Sequence, residues 1–117
     1  NKNQNKILNI LIQEDFINDK RYSKSFCRGK FRIKKWGKLK IMNELKRKNI
    51  NPTTIMSSLN EINDIDYIKE LDTQFNKKKQ SINSLKFYDK KKKIAIYLIG
   101  KGYESHLVWE KLRELKE

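Results

Sequence analysis

The chain has little of what stops a helix and little of what catalysis needs. Its 117 residues include one proline and four glycines, so helix is expected almost throughout, with few obligatory breaks. A single cysteine, Cys27, excludes an internal disulfide and fits a reducing cytosol. It is expected to be a small buried apolar residue. The only histidine, His106, has no Cys, His or carboxylate cluster at ligand spacing beside it, so no metal is expected. No glycine-rich phosphate loop, nucleophile elbow or paired-acid motif occurs. Neither a cofactor nor an enzymatic activity is therefore expected. There is no apolar run of about 18 residues, which excludes a membrane-spanning helix, and no signal-peptide pattern. The chain opens on Asn1 and not on Met, as a fragment would. Arginine is scarce, at five residues, so bidentate phosphate clamps will be few.

What is abundant is positive charge. The net charge is +14, which points to a polyanionic partner: nucleic acid, an acidic protein groove or, as the lesser alternative, a membrane surface. Lys, Asn and Ile together make up 50 residues, a bias that an AT-rich genome would also produce. The distribution argues against drift alone. Residues 20–48 carry 13 Lys or Arg and one acid, Glu44, and residues 77–93 carry eight Lys and one acid, Asp89. Between them, residues 49–76 have a net charge of −4. A basic docking surface is therefore read at Arg21, Lys24, Arg28, Lys30, Arg32, Lys34, Lys35, Lys38, Lys46, Arg47, Lys90, Lys91, Lys92, Lys93 and Lys101. The plainer alternative is a solvated Lys-rich face.

The chain also repeats itself 53 residues apart. Ile41, Leu45, Lys48, Ile50, Ile55 and Leu59 are answered by Ile94, Leu98, Lys101, Tyr103, Val108 and Leu112. Each copy is a basic amphipathic helix, a tight break and a short second helix. The breaks are Lys48–Pro52 and Lys101–Ser105. Such a period marks a stacked helical array. The expected fold is all-α, with tandem three-helix repeat units forming an elongated, curved helical array. Residues 1–18 are read as the last helix of a truncated preceding repeat and a connector, 19–62 as one three-helix repeat and 63–117 as the next.

The helices are expected at 6–14, with Ile7, Leu8 and Leu11 on one face, then about 20–35, 38–48, 52–61, 65–79, 90–101 and 105–116. Phe16–Asp19 is the connector, with Asp19 as N-cap. Tyr22, Phe26 and Ile33 lie near helical spacing on the 20–35 helix. Gly37 is expected to end that helix, and Asn51-Pro52 to start a later one. Ile41, Met42 and Leu45 are expected inside, as are Ile55, Met56, Leu59 and Ile62, the stripe Tyr67, Leu71 and Phe75, and Val108, Leu112 and Leu115. Trp36 reads as an inter-helix wedge, with a partner-contact role as the minority reading, and Trp109 as half-buried. Arg21 is read either in an ion pair to Asp19 or Glu44 or in partner contact, and Glu44 as pairing with Arg21 or Lys48.

One stretch is more specific. Phe16-Ile17-Asn18-Asp19-Lys20-Arg21-Tyr22, Phe26, Lys30-Phe31-Arg32, Trp36-Gly37-Lys38, Ile41 and Glu44-Leu45 resembles the central repeat of the RecX family of bacterial RecA regulators. The second copy, Lys93-Ile94 through Leu98, Lys101-Gly102-Tyr103 and Val108–Leu112, resembles the family's last repeat. Asn49 stands where the family usually has glycine, and Lys replaces many family Arg positions. The resemblance implies a regulator of recombination and DNA repair that binds the groove of a RecA filament on single-stranded DNA. It would inhibit ATP hydrolysis, extension and strand exchange. The chain would be cytoplasmic and monomeric, without a membrane partner. The competing readings are a non-sequence-specific nucleic-acid-binding module with direct DNA contact, and an interaction fragment whose charge is compositional. The 38–48 helix offers Asn43 as its main base-reading group, which favours backbone or acidic-surface contact over sequence reading.

Overall fold

A computed structural model describes the backbone of residues 2–83 and 85–116, and side chains from Ile17 onward except Ser84. Six helices follow one another: α1 (Lys2–Arg32), α2 (Lys38–Arg47), α3 (Pro52–Leu59), α4 (Asp64–Ser81), α5 (Phe87–Gly100) and α6 (Ser105–Arg113). There is no strand among the described residues. The molecule measures 72 × 22 × 20 Å, as expected of an array whose units touch only their neighbours.

The repeat is reproduced in the backbone. Helix α2 ends as Asn49 turns left-handed, at φ 61°, and α5 ends as Gly102 does so at φ 100°. Each turn closes with the same bond: Ile50 N–H donates to the Leu45 carbonyl at 3.2 Å, and Tyr103 N–H to the Leu98 carbonyl at 3.2 Å. These are Schellman-type stops. Asn tolerates the left-handed region better than other side chains, so the turn survives without glycine in the first copy. All ten apolar positions of the repeat are buried, from Ile41 to Leu112. Asn51 caps α3 by accepting the Thr53 N–H at 2.8 Å, with Pro52 at the first helical position. Asn63 caps α4 by accepting the Asp66 N–H at 3.1 Å.

Several expectations are corrected. The connector at Phe16–Asp19 does not form. Helix α1 runs unbroken to Arg32, and Asp19 lies inside it. No glycine or proline precedes Gly29, and Asn or Asp within a helix costs only a fraction of a kcal/mol, so nothing forces a break. The side chains of Ile7, Leu8 and Leu11 lie outside the described residues. The inward face of α1 is Ser23 and Cys27, with Phe31 partly buried; Tyr22 is 43% exposed and Ile33 78%. Met56 is exposed, and Met42 only partly buried. The helix also ends earlier than Gly37, at Arg32, where Lys35 takes the left-handed turn.

Gly37 serves a different purpose. Its N–H donates to the Lys101 carbonyl at 2.8 Å, and Leu39 N–H donates to the Gly102 carbonyl at 3.0 Å. The loop before α2 thus lies directly on the loop after α5. This backbone contact joins the α1–α3 group to the α4–α6 group. Tyr67 from α4 completes the junction. Its ring lies 5.7 Å from Phe31 and 5.4 Å from Tyr103. Its hydroxyl accepts the Lys38 N–H at 2.9 Å and donates to the Glu104 carboxylate. Tyr103 donates its hydroxyl to the Lys35 carbonyl at 2.9 Å. Tyr67→Phe is expected to cost about 1–3 kcal/mol, because it leaves the first N–H of α2 and a carboxylate without their partner. Urea unfolding measures this, and a loss under about 0.5 kcal/mol would mean the hydroxyl contributes nothing.

Candidate functional site: a basic surface

The fifteen cations read from the sequence divide by what they touch. Three face acids: Lys35 pairs with Glu70 at 3.8 Å and Lys38 with Asp64 at 3.7 Å across the junction, and Lys24 pairs with Glu61 at 2.9 Å within the first group. The acidic middle segment therefore helps hold the two helix groups together. Within the second group, Asp72 of α4 pairs with Lys111 of α6 at 2.6 Å. Lys101 bonds the Gln74 side chain at 3.2 Å, and Lys90 bonds Asn83 at 2.9 Å. Glu44 pairs with Arg47 at 3.1 Å; the expected pairing with Arg21 or Lys48 does not form, and Arg21 pairs with neither Asp19 nor Glu44. Arg21, Arg28, Arg32, Lys34, Lys46, Lys92 and Lys93 face solvent. Exposed ion pairs are worth little, so Lys24, Lys35 and Lys38 remain able to exchange partners.

On α1 the cations occupy two faces. Lys24, Arg28 and Arg32 line a groove of about 530 Å³ with Cys27, Ser58 and Glu61, between α1 and the α3–α4 turn. Lys30 and Lys34 line the opposite side with Tyr22 and Phe26. Trp36 is partly buried as a wedge, edge-on to Phe26 at 6.4 Å. Sequence reasoning missed the cations that gather on it: Lys30 lies 4.9 Å from its ring and Lys40 4.6 Å. Lys48 adds itself 5.9 Å from Tyr22 and Phe26. The signal was the Trp36-Gly37-Lys38 turn between two basic helices, which brings cations over an aromatic face. On the other side of α2, Lys40 and Arg47 share a groove with Ile99 and Gly100 of α5. Ile99 and Gly100 in turn line a groove with Lys91 and Lys92. The two basic blocks thus meet across α2 and α5.

The inward groups are chemically quiet. Burial, with help from the Glu61 carboxylate, pushes the Cys27 thiol up to about 11. Burial also raises the phenols of Tyr67 and Tyr103, with their neighbours Glu104 and Glu70 adding to it. Lys111 is raised by its hydrogen bond to Asp72. All four groups hold their protons longer folded than unfolded. Their contribution to stability is whole below the unfolded values, 9.0 for the thiol and 10.0 for the phenols, and is lost as pH rises above them. Each buried group removes about 1.4 kcal/mol per pH unit in that window. The urea midpoint is expected to hold to about pH 8.5 and fall steeply by about pH 10.5; a flat midpoint across that range would contradict these assignments.

Comparison with known proteins agrees with this architecture. Residues 18–59 match the family model for RecX, second three-helix domain. The chain is 32% identical to the regulatory protein RecX of Clostridium acetobutylicum, covering 94% of this chain and 52% of that one. It is 33% identical to the regulatory protein RecX of Bacillus cytotoxicus and 30% identical to that of Bacillus cereus; each match covers 95% of this chain and 41% of the relative. The chain is similar to RecX proteins along most of its own length. It spans about half the length of the curated relatives it matches. The comparison with solved structures finds no significant match. The matched domain, residues 18–59, holds the C-terminal half of α1, α2 and α3, and so the Trp36 cluster and the whole first basic block. The relatives are named as regulatory proteins. No helix among the described residues is long and apolar enough to cross a membrane.

Proposed function

We propose that this chain regulates a RecA-type recombinase by lying along the filament that the recombinase forms on single-stranded DNA. It would restrain ATP hydrolysis, extension and strand exchange. In this reading residues 19–62 and 63–117 are the two working units, and residues 1–18 are the end of a preceding one. The observation that carries the reading is the pairing of shape and charge. The molecule is 72 Å long, whereas a globular subunit of about 300 residues is roughly 50 Å across. One copy therefore reaches past a single subunit, and contacts to neighbouring subunits reinforce each other through effective concentration. The solvent-facing cations Arg21, Arg28, Arg32, Lys34, Lys46, Lys92 and Lys93, with the exchangeable Lys24, Lys35 and Lys38, would meet filament acids or DNA phosphates.

The second reading, direct non-sequence-specific DNA binding, draws on the same cations and on the Lys-flanked aromatic cluster at Trp36, since lysines and rings together suit single strands. The two readings separate on bare DNA. A filament regulator binds filament at least about tenfold more tightly than the same length of free single strand at about 0.15 M salt. A DNA-binding module binds both alike, with an affinity that falls steeply as salt rises. Anisotropy titrations of labelled strand, with and without recombinase, measure this. Equal affinity for the two would overturn the regulator reading.

A further inference from the structure

The face shared by α5 and α6 carries a feature that charge does not explain. Tyr88, Ile96, Ile99 and Trp109 are 76%, 63%, 41% and 43% exposed. With Ala95 and Gly100 they line an open groove of about 560 Å³. The corresponding positions of the first unit, 53 residues earlier, are Asn43 for Ile96, Lys46 for Ile99 and Met56 for Trp109. At the two isoleucine positions the repeat itself therefore does not demand apolar side chains. Burial does not demand them either, because the inward face of α5 is already supplied by Ile94, Ala95 and Leu98. Contiguous exposed apolar surface of this kind marks an interaction site. The glycine at position 100 keeps the floor low: a β-carbon there would meet nothing within 4 Å.

We propose that this groove docks an acidic amphipathic segment of a partner protein. Charge decides the chemistry of the occupant. Lys91 and Lys92 stand at one side of the groove, and Lys40 and Arg47 line the adjoining groove, which shares Ile99 and Gly100. The apolar strip thus lies between two sets of cations. A segment with apolar anchors and flanking carboxylates fits both; a basic one is repelled. Between Tyr88 and Trp109 the floor is Ala95, Ile96, Ile99 and Gly100; these carry no polar side-chain atom, and aliphatic anchors fit the apolar side chains of a protein segment better than base edges. From Tyr88 to Ile99 the helix advances about 16 Å, the length of three helical turns. This matches a partner helix with anchors at i, i+3, i+4 and i+7. The inference is independent of the recombinase reading, and its test contains neither recombinase nor DNA.

The probe is a labelled 16-residue synthetic peptide with Leu at those four positions and Glu on the other faces, followed by anisotropy with the intact chain. Two control peptides carry Lys for Glu, or Ser for Leu. Saturable binding of the first peptide alone is expected. Ile96→Glu and Ile99→Glu should each weaken it at least about tenfold, because buried anchors carry most of an interface. Lys91→Glu with Lys92→Glu should weaken it at least about fivefold and flatten its salt dependence. All of these side chains are partly or fully exposed, so circular dichroism should be unchanged. The proposal is overturned if the control peptides bind as well as the probe, if none binds at about 1 mM, or if the isoleucine variants leave binding intact. It is also overturned if sedimentation shows that the groove pairs two copies of this chain and that Ile96→Glu only separates them.

Discussion

Gly37→Ala is expected to destabilise the fold by about 3 kcal/mol or more, although it adds one methyl group to a loop. A β-carbon at Gly37 would sit 2.2 Å from the Gly102 carbonyl carbon and 2.3 Å from both the Gly102 oxygen and the Tyr103 nitrogen. All three are backbone atoms, so no side-chain rotation relieves the contact. The two loops must separate, and separation breaks the Gly37–Lys101 and Leu39–Gly102 bonds. It also lifts Tyr67 away from Lys38. Gly102→Ala meets the reciprocal obstacle, with Lys40 Cβ at 2.4 Å, and must also hold φ near 100°. Gly29→Ala is the control. Nothing lies within 4 Å of its β-carbon, and an alanine inside a helix should add about 0.5–1 kcal/mol of stability. Urea unfolding of the three variants tests the set. A Gly37→Ala protein within about 0.5 kcal/mol of the parent would mean that the two helix groups are not locked through this contact.

Reversing Lys90–Lys93 to Glu is expected to weaken filament binding about 100-fold. Four reversals, each worth two charges, take the net charge from +14 to +6. Lys92 and Lys93 are exposed, while Lys90 is held by Asn83 and Lys91 lies 5.7 Å from the Phe87 ring. None is in the core, so helicity and melting temperature should be nearly unchanged. Arg21→Ala with Arg28→Ala tests the first block in the same way, with a smaller loss of about tenfold, because charge is removed there and not inverted. The salt dependence should flatten in both variants, because fewer counterions are released on binding. Full binding by both variants would dismiss the basic-surface account. Weakening in the α5 variant alone would confine the interaction to the second unit.

The repeat is legible because it rests on local pattern. Ile41, Leu45 and Ile50 and their partners Ile94, Leu98 and Tyr103 announce a helix and its stop through spacing alone, and both stops form. Caps such as Asn51 and Asn63 are equally local. Asp19 shows where that reasoning fails: a good capping residue needs a helix to begin beside it, and nothing in the preceding residues ends α1. The fate of individual cations is not legible. Lys24, Lys35 and Lys38 look like their neighbours in sequence, yet the fold turns them toward Glu61, Glu70 and Asp64. Gly37 reads as a helix breaker, because a close approach to a loop 65 residues away leaves no local trace. The apolar groove at Ile96 and Ile99 is hidden for a related reason. Both residues belong to a run, Ile94–Ile99, whose periodicity does not tell inward from outward positions.

The central claim is that this chain acts on a recombinase filament and does not merely coat DNA. The most direct test is single-strand-dependent ATP hydrolysis by the cognate RecA recombinase, titrated with this chain at fixed salt beside a binding curve to the same bare strand. The account predicts inhibition at concentrations well below those that cover free DNA, and its loss with the Lys90–Lys93 reversal. Inhibition that begins only where bare strand is already saturated would contradict it, as would hydrolysis that the chain leaves unchanged.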